Sequence, residues 1–169
     1  MSELKSQTLF ISVGSRFAMD RLLNSVESVL QQHPSLSARA QIASSDFQSE
    51  LLLTERWIDQ DDFEQAIDEC DIFISHAGMG NILLASKFQK PIVIMPRLPH
   101  LSEHINDHQI GTCEALRDRP LVHIVNNAQE LEQAVFNIAN STDTTTKSGE
   151  RHTTRASLIA SIKEFIDHE

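Results

Sequence analysis

Residues 75–81, with the sequence Ser-His-Ala-Gly-Met-Gly-Asn, have the composition of an anion-binding turn. They lie between an apolar strand candidate at 71–74 and a helix-like run at 82–88. Gly78 and Gly80 permit positive φ angles and a close approach of the backbone to a ligand, and the following helix N-terminus adds the positive end of its dipole. A diphosphate fits such a site. The alternative is a turn whose glycines only pack a helix tightly against a strand.

A second polar cluster, residues 97–109, follows the apolar run 91–96. That run is bounded by prolines and has the length and β-branched content of a strand buried on both faces. Because ligands of open α/β sheets bind at the carboxyl ends of the strands, both clusters are expected to open on the same edge. Phosphate at the first cluster and sugar hydroxyls at the second would suit these residue types.

Three histidines of the second cluster, His100, His104 and His108, are four residues apart. On one continuous helix they would share a face, which raises the alternative of a zinc or other transition-metal site. Pro99 and the polar loop argue against a continuous helix from residue 100. Convergence of the three imidazoles within ligand distance would support the metal site.

Strands and helices are predicted to alternate along the chain. Strands are predicted at 8–13, 38–43, 51–57, 71–75, 91–95 and 121–125, and helices at 17–32, 59–70, 80–88, 103–117 and 128–139. This order predicts an α/β fold with a doubly wound parallel sheet and right-handed crossovers.

Residues 1–139 are therefore predicted to form one α/β domain. Residues 140–154 are rich in Ser and Thr and predict a flexible linker. Residues 155–169 predict a C-terminal amphipathic helix, with Leu158, Ile159, Ile162 and Phe165 on one stripe. This helix would pack either on its own domain or on a partner.

Composition points to a soluble globular protein. The chain has 169 residues, 40% hydrophobic content and a net charge of -10, which argues against unspecific binding to nucleic acid or anionic lipid. We find no apolar run of about 18 residues that would cross a bilayer and no signal peptide, so no direct membrane insertion is expected. Cys70 and Cys113 are isolated and are expected to be reduced thiols of a cytoplasmic protein.

Five short motifs occur in a fixed order. They are Val13-Gly14-Ser15, Ser75-His76-Ala77-Gly78-Met79-Gly80, Lys90-Pro91, Met95-Pro96-Arg97 and Glu103-His104-Ile105-Asn106-Asp107-His108-Gln109. Together they resemble the C-terminal, nucleotide-sugar-binding half of the family 28 glycosyltransferases, and an ordered set is more specific than one glycine pattern. The chain is most similar to small stand-alone subunits of two-component bacterial exopolysaccharide glycosyltransferases. Their eukaryotic relatives are the donor-binding subunits of the dolichol-pathway GlcNAc transferases.

This resemblance implies a Rossmann-like domain that is the C-terminal half of a GT-B fold. It implies the donor-binding subunit of a split, inverting glycosyltransferase, which transfers a sugar from a nucleotide sugar, expected to be a UDP-sugar, to a lipid-linked acceptor. One domain is short for a complete enzyme, so the resemblance implies a membrane-anchored partner subunit with the acceptor-binding half and the catalytic base. The location implied is cytoplasmic, peripheral to the membrane through that partner. No cofactor and no metal are implied, because such folds offset leaving-group charge by helix dipoles and basic side chains.

The resemblance also implies a set of substrate-binding residues. They are Gly14, Ser15, Arg16, His76, Ala77, Gly78, Met79, Gly80, Asn81, Arg97, Glu103, His104, Asp107 and Gln109. Ser15 and Arg16 would hold phosphate or the acceptor side, although Arg16 fits an exposed arginine in a tight turn equally well. His76 is expected to brace its loop rather than to transfer a proton. Asp107 and Gln109 would contact sugar hydroxyls, the alternative being that they cap a helix.

Leu84 departs from the family pattern, in which many members carry a glutamate there that receives the ribose hydroxyls. Asn81 likewise stands where Thr or Ser is usual. Leucine cannot accept a hydrogen bond, so backbone groups or the partner hold the ribose, the nucleotide specificity differs, or donor binding is weak. Leu84 therefore keeps open a rival function, a nucleotide-sugar-binding or scaffolding protein without catalytic activity. A sugar-nucleotide epimerase of related fold is a third possibility, but one domain lacks the second half that closes over the substrate.

Overall fold

A six-stranded parallel sheet in the order β3-β2-β1-β4-β5-β6 organises the chain. The structure, a computed structural model, describes residues 6–141. Its strands are β1 (Gln7–Ser12), β2 (Leu36–Gln41), β3 (Leu53–Glu55), β4 (Ile72–His76), β5 (Ile92–Met95) and β6 (Val122–Ile124). Its helices are α1 (Asp20–Gln32), α2 (Gln60–Glu69), α3 (Met79–Phe88), α4 (His108–Leu116) and α5 (Ala128–Asn140), with a short 3-10 helix at Pro99–Leu101. The predicted doubly wound, Rossmann-like α/β fold is confirmed.

The direction of strand addition reverses at β1. Leu9 of β1 pairs with Ala38 of β2 on one side and with Ile72 of β4 on the other. In open parallel sheets, such a switch point leaves a crevice between the loops that leave the two central strands, and ligands bind there.

Alternating residues of the central strands pack into two hydrophobic cores. Leu9 and Ile11 belong to the core that includes residues of α1 and α5, whereas Phe10 belongs to the core that includes residues of α2, α3 and α4. Helices thus cover both faces of the sheet, and this explains why β1, β4 and β5 read as continuous apolar runs rather than as alternating ones.

Two expected elements differ most from the structure. The helix predicted at 103–117 begins only at His108, because residues 97–107 form the 3-10 helix and an irregular loop. The strand predicted at 51–57 is limited to Leu53–Glu55, which lies at the edge of the sheet. The edge position leaves Leu53 63% exposed, so no burial pattern in the sequence marks this strand.

The C-terminal predictions concern residues beyond those that the structure describes. Helix α5 ends at Asn140, while nearly all of the predicted linker and the whole predicted helix at 155–169 lie outside residues 6–141. Within the described part of the chain, no helix combines the length and the hydropathy needed to cross a membrane.

Candidate functional site

An open crevice of about 550 Å³ lies at the carboxyl ends of β1 and β4, at the switch point of the sheet. Six predicted site residues line it, namely Gly14, Ser15, His76, Gly78, Gly80 and Asn81. Leu84, where the family pattern has glutamate, also lines it. Sequence reasoning missed the other lining residues, Ser12, Gln41, Trp57, Ile58, Gln60 and Phe63.

The imidazole of His76 fills the space beside two glycine turns. A Cβ at Gly14 would lie 2.8 Å from Cε1 of His76, and a Cβ at Gly78 would lie 2.2 Å from its Nε2. Gly14 also has a φ of +89°, which L side chains rarely adopt. The backbone therefore approaches this ring more closely than any other residue type would allow.

Gly78 and Gly80 do not use the positive φ that glycine permits, since Gly14 alone among the glycines of residues 6–141 has one. Gly78 is instead required by the space that His76 occupies. Gly80 lies in the first turn of α3 and lines the crevice, and a Cβ there would meet no atom within 4 Å. Position 80 is thus open toward the crevice.

The N-terminus of α3 is held in place by partly buried hydrogen bonds. Asn81 Nδ2 donates to Ser75 Oγ at 2.7 Å and to Ser12 Oγ at 3.2 Å, and the Gly14 amide donates to Ser12 Oγ at 3.1 Å. Gly78, the residue before α3, has no side chain with which to cap the helix. The first N–H groups of α3 therefore point out of the helix end without a capping side chain, at a fixed position relative to β1 and β4.

His76 is uncharged at neutral pH. Burial, and to a lesser extent the positive charge of Arg97, lowers the pKa of His76 to about 4. Its Nδ1 lies 3.3 Å from Ser75 Oγ. Among the described residues that line the crevice there is no Asp, Glu, Lys or Arg. An anion in the crevice would therefore meet N–H dipoles and hydroxyl groups rather than a contacting cation.

Trp57 is the largest side chain at the crevice that sequence reasoning missed. It follows β3 and is 62% exposed. Gln41 fixes its loop, because Gln41 Oε1 accepts from the Ile58 amide at 3.0 Å and Gln41 Nε2 donates to the Gly14 carbonyl at 3.2 Å. An exposed indole face is suited to stacking on a planar base. Its position at the end of the strand candidate at 51–57 was the signal in the sequence.

Arg97 is 2% exposed and holds two loops together rather than lining the crevice. Its Nη1 donates to the Ala18 carbonyl at 2.9 Å and to the Glu103 carbonyl at 3.0 Å. Its Nη2 donates to the Phe17 carbonyl at 2.7 Å and to the Val13 carbonyl. The guanidinium thus ties the loop after β5 to the loop after β1.

Glu103 forms a bidentate ion pair with Arg21 inside the same region. Both contacting nitrogens of Arg21, Nε and Nη2, lie 2.9 Å from a carboxylate oxygen, and the Leu98 amide donates to Glu103 Oε2 at 2.9 Å. Burial alone would raise the pKa of Glu103, but the hydrogen bonds from Arg21 and Leu98 outweigh it and hold that pKa below its usual value. Glu103 is therefore a carboxylate at neutral pH.

Gln109 also makes an internal contact, since its Oε1 accepts from the Arg97 amide at 3.0 Å.

Asp107, in contrast to Gln109, makes no such internal contact that would cap the helix. It is exposed, and its side chain does not cap α4. The capping alternative is thus not realised by Asp107, and its carboxylate faces solvent on the edge of the sheet that carries the crevice.

The remaining predicted residues lie around the crevice without lining it. Arg16 is exposed, Ala77 is buried and Met79 is partly buried. The ring of His104 makes an edge contact with Phe17, with centroids 6.1 Å apart. Direct substrate contacts by these residues, and by Arg97, Glu103 and Gln109, stay predictions.

A family model that matches most of the chain identifies the family to which the chain belongs. The model described as "Glycosyltransferase family 28 C-terminal domain" matches residues 8–164, which is most of the chain. The chain belongs to this family. No curated protein sequence matches it.

Solved glycosyltransferase structures share the fold of this family 28 domain. The glycotransferase of kitacinnamycin aligns with a TM-score of 0.69 and 18% identity over 95% of this chain and 41% of that one. The calicheamicin glycosyltransferase CalG4 aligns with a TM-score of 0.63 and 14% identity over 92% and 40% of the two chains. Glycosyltransferase SsfS6 of Streptomyces sp. SF2575, complexed with thymidine diphosphate, aligns with a TM-score of 0.57 and 16% identity over 100% and 43%. The chain therefore corresponds to the C-terminal domain of a GT-B fold and spans less than half the length of these structures.

The three histidines that raised a metal alternative do not share a helix in the family 28 domain. His100 lies in the 3-10 helix, His104 in the following loop and His108 at the start of α4. Across residues 6–141, no group of three or more His, Cys, Asp or Glu side chains is placed to hold a metal ion.

Proposed function

We propose that this chain binds a nucleotide sugar in the crevice, with the diphosphate at the N-terminus of α3 and the base against Trp57. The observation that carries the proposal is the combination of an uncapped helix N-terminus and an exposed indole in one crevice of about 550 Å³. A helix N-terminus binds phosphate oxygens through its free N–H groups and its dipole, and the indole offers a stacking surface.

The nucleotide would cross the crevice between these two ends. Gly80 and Leu84 are one helical turn apart on the face of α3 that lines the crevice, so the ribose would pass over Leu84. Gln60, at the start of α2, lines the crevice as well and offers an amide in place of the glutamate found in other family members. UDP and TDP are both candidates, because Leu84 gives no preference for a ribose hydroxyl and the relative SsfS6 was crystallised with thymidine diphosphate.

We further propose that the chain is the donor-binding subunit of a split, inverting glycosyltransferase with a lipid-linked acceptor, as in exopolysaccharide synthesis. The domain corresponds to one half of the aligned glycosyltransferases, and sugar transfer by such a fold would use both halves. Apolar side chains on the loops after β1 and β5 support a second domain on this edge, since Phe17 is 43%, Leu101 49% and Ile105 85% exposed. A membrane-anchored partner facing these loops would bring the acceptor to the sugar.

In the proposed reaction, the acceptor hydroxyl oxygen attacks the anomeric carbon of the donor. The bond from that carbon to the diphosphate oxygen breaks, and its electron pair leaves with the diphosphate. The hydroxyl proton passes to a base on the partner. The α3 N–H groups would stabilise the negative charge that grows on the leaving diphosphate. This chain alone would bind donor and leave it unreacted.

Isothermal titration of the purified chain with UDP, TDP and their sugar conjugates is the direct test. We expect binding of at least one diphosphate without turnover, and transfer to a lipid-linked acceptor only after addition of the membrane-anchored partner. Absence of heat with every diphosphate, while circular dichroism shows a folded protein, would refute the donor site. Turnover by the chain alone would refute the split enzyme.

The rival proposal is a binding or scaffolding protein without catalytic activity, and Leu84 is the observation that favours it. The same experiment separates the two. Under the rival, the chain binds the nucleotide sugar and its partner, yet the assembled complex transfers no sugar.

A further inference from the structure

We propose that Arg97 acts as a buried positive charge beneath the crevice, and that this charge favours binding of a diphosphate which the guanidinium does not touch. The proposal rests on the diphosphate site argued above. It gives Arg97 the role of a charge acting through space rather than that of a substrate contact.

The groups that accept hydrogen bonds from the Arg97 guanidinium are carbonyl oxygens rather than carboxylates. Its two terminal nitrogens donate to four main-chain carbonyl oxygens, those of Val13, Phe17, Ala18 and Glu103. Carbonyl oxygens satisfy the N–H groups and carry no net charge.

The carboxylate of Glu103, which acts on Arg97 through its charge, is hydrogen-bonded to other groups. Glu103 receives two hydrogen bonds from Arg21 and one from the Leu98 amide. The cluster of Arg21, Arg97 and Glu103 contains two cations and one anion, so its net charge is positive by one. Because Arg97 is 2% exposed, solvent and salt screen its charge less than they would at the surface.

This charge lies close to the crevice. Arg97 Nη2 donates to the Val13 carbonyl, and the next residue, Gly14, lines the crevice against the ring of His76. His76 is affected by it, since the charge of Arg97 adds to burial in lowering the pKa of that ring.

The rest of the molecule would repel the ligand. The chain carries a net charge of -10, and the described side chains that line the crevice are uncharged at neutral pH. A diphosphate approaching this surface therefore depends on the local field, to which a fixed buried cation contributes without any reorganisation on binding.

The decisive variant is Glu103→Gln, which keeps an oxygen that can accept from Arg21 and removes one negative charge. If the field of the cluster matters, this variant should bind the wild type's preferred nucleoside diphosphate at least about threefold more tightly, and most of the gain should persist at high salt because the charges are buried. The corresponding monophosphate, which carries less charge, should gain less. If Arg97 and Glu103 only hold the loops together, the affinity of the variant for each of the two ligands should equal that of the wild type or be lower.

Glu69→Gln is the matched control. It makes the same change in net charge at an exposed residue. Glu69 is the last residue of α2, whereas the crevice lies at the first residue of that helix. We expect no change in affinity from it. An equal gain from both variants would assign the effect to overall charge and overturn the proposal.

Arg97→Lys provides a second measurement if Glu103→Gln is unstable, because lysine keeps the charge and cannot make all four hydrogen bonds. Its diphosphate affinity should fall less than that of Arg97→Met, each measured where the variant is folded. Equal losses would overturn the charge proposal and leave the donor site intact. If the wild type binds no diphosphate at all, the proposed function fails and this inference fails with it.

Discussion

The imidazole of His76 excludes a side chain at position 78, because a Cβ built on Gly78 would lie 2.2 Å from His76 Nε2. The same ring lies 2.8 Å, at Cε1, from a Cβ built on Gly14. One side chain therefore fixes the backbone on both sides of the crevice at the switch point. Gly80 lines the same crevice, yet a Cβ there would meet nothing within 4 Å.

Gly78→Ala and Gly80→Ala form a matched pair with opposite expected outcomes. Gly78→Ala should lower the free energy of unfolding by about 1–3 kcal/mol, because the new methyl group and the His76 ring compete for space. Gly80→Ala should keep or slightly raise stability, since alanine favours a helix by up to about 1 kcal/mol over glycine, but its methyl group would narrow the diphosphate site. Urea denaturation and calorimetric titration measure the two effects. Equal losses of stability in both variants would contradict this account.

Trp57→Ala should weaken nucleotide binding by about 1–3 kcal/mol through loss of base stacking. Stability should change by less than about 0.5 kcal/mol, because the side chain is 62% exposed. Trp57→Phe should retain most of the affinity. Inorganic pyrophosphate is the control ligand, since it has no base, and its binding should be the same in all three proteins. A loss of pyrophosphate binding would place Trp57 at the phosphates instead.

Asp107→Asn should lower affinity for a nucleotide sugar and leave the free nucleoside diphosphate nearly unaffected. Loss of a hydrogen bond to a sugar hydroxyl corresponds to about 0.5–1.5 kcal/mol. Calorimetry with the diphosphate and its sugar conjugate gives both numbers from one protein preparation. Equal losses of affinity for the two ligands would mean that Asp107 acts at the phosphates rather than at the sugar.

Gln109→Ala is expected to act first on stability. Its Oε1 accepts from the buried Arg97 amide, and leaving that donor unsatisfied should cost about 1–3 kcal/mol. Gln109→Glu keeps an acceptor there and should be milder. A chemical denaturation curve for Gln109→Ala that matches the wild type would show that the internal contact contributes little. In that case the predicted contact of Gln109 with sugar would remain its main role.

Stability should fall as the pH drops from about 6.5 to about 4, partly because of His76. Burial lowers the pKa of His76 to about 4 in the folded chain, against 6.5 for the free side chain. The unfolded chain therefore takes up this proton at higher pH, so the contribution is fully present above about pH 6.5 and is lost progressively down to about pH 4. A shift of this size corresponds to at most about 3–4 kcal/mol.

The His76 contribution is measured as the difference between two pH profiles of unfolding free energy, those of the wild type and of His76→Gln. His123, whose pKa burial also lowers, titrates in both proteins and cancels in the difference. The variant should show the flatter profile over this range. Parallel profiles would mean that the ring is protonated in the folded chain at mild acidity.

The sequence predicts the sheet well where burial is two-sided. Strand β5 is apolar throughout, and β1 and β4 each contain three consecutive apolar residues, because helices cover both faces of the sheet. The glycine turn after β4 also has a local signature. The late start of α4 was not predictable in this way. Residues 97–107 are held by bonds from Arg97 to carbonyls about 80 positions earlier in the chain, such as that of Phe17, and no local pattern records such contacts.

The same limit explains the crevice. Gly14, Gly78 and Gly80 were found because each lies within two residues of a strand end or of another glycine. A short stretch of sequence is therefore enough to mark them. Trp57 and Gln41 were missed because the fold, rather than the local sequence, brings the loop after β3 beside the loop after β1.

Trp57 gives the chain an optical property that follows from its position. It is the single tryptophan, and the chain has no tyrosine. Intrinsic emission therefore arises from an indole on the rim of the crevice, while the buried core around Phe10 and Phe73 is nearly silent. Fluorescence of the unlabelled protein should consequently report whether the crevice is occupied, and it should report poorly on whether the core is folded.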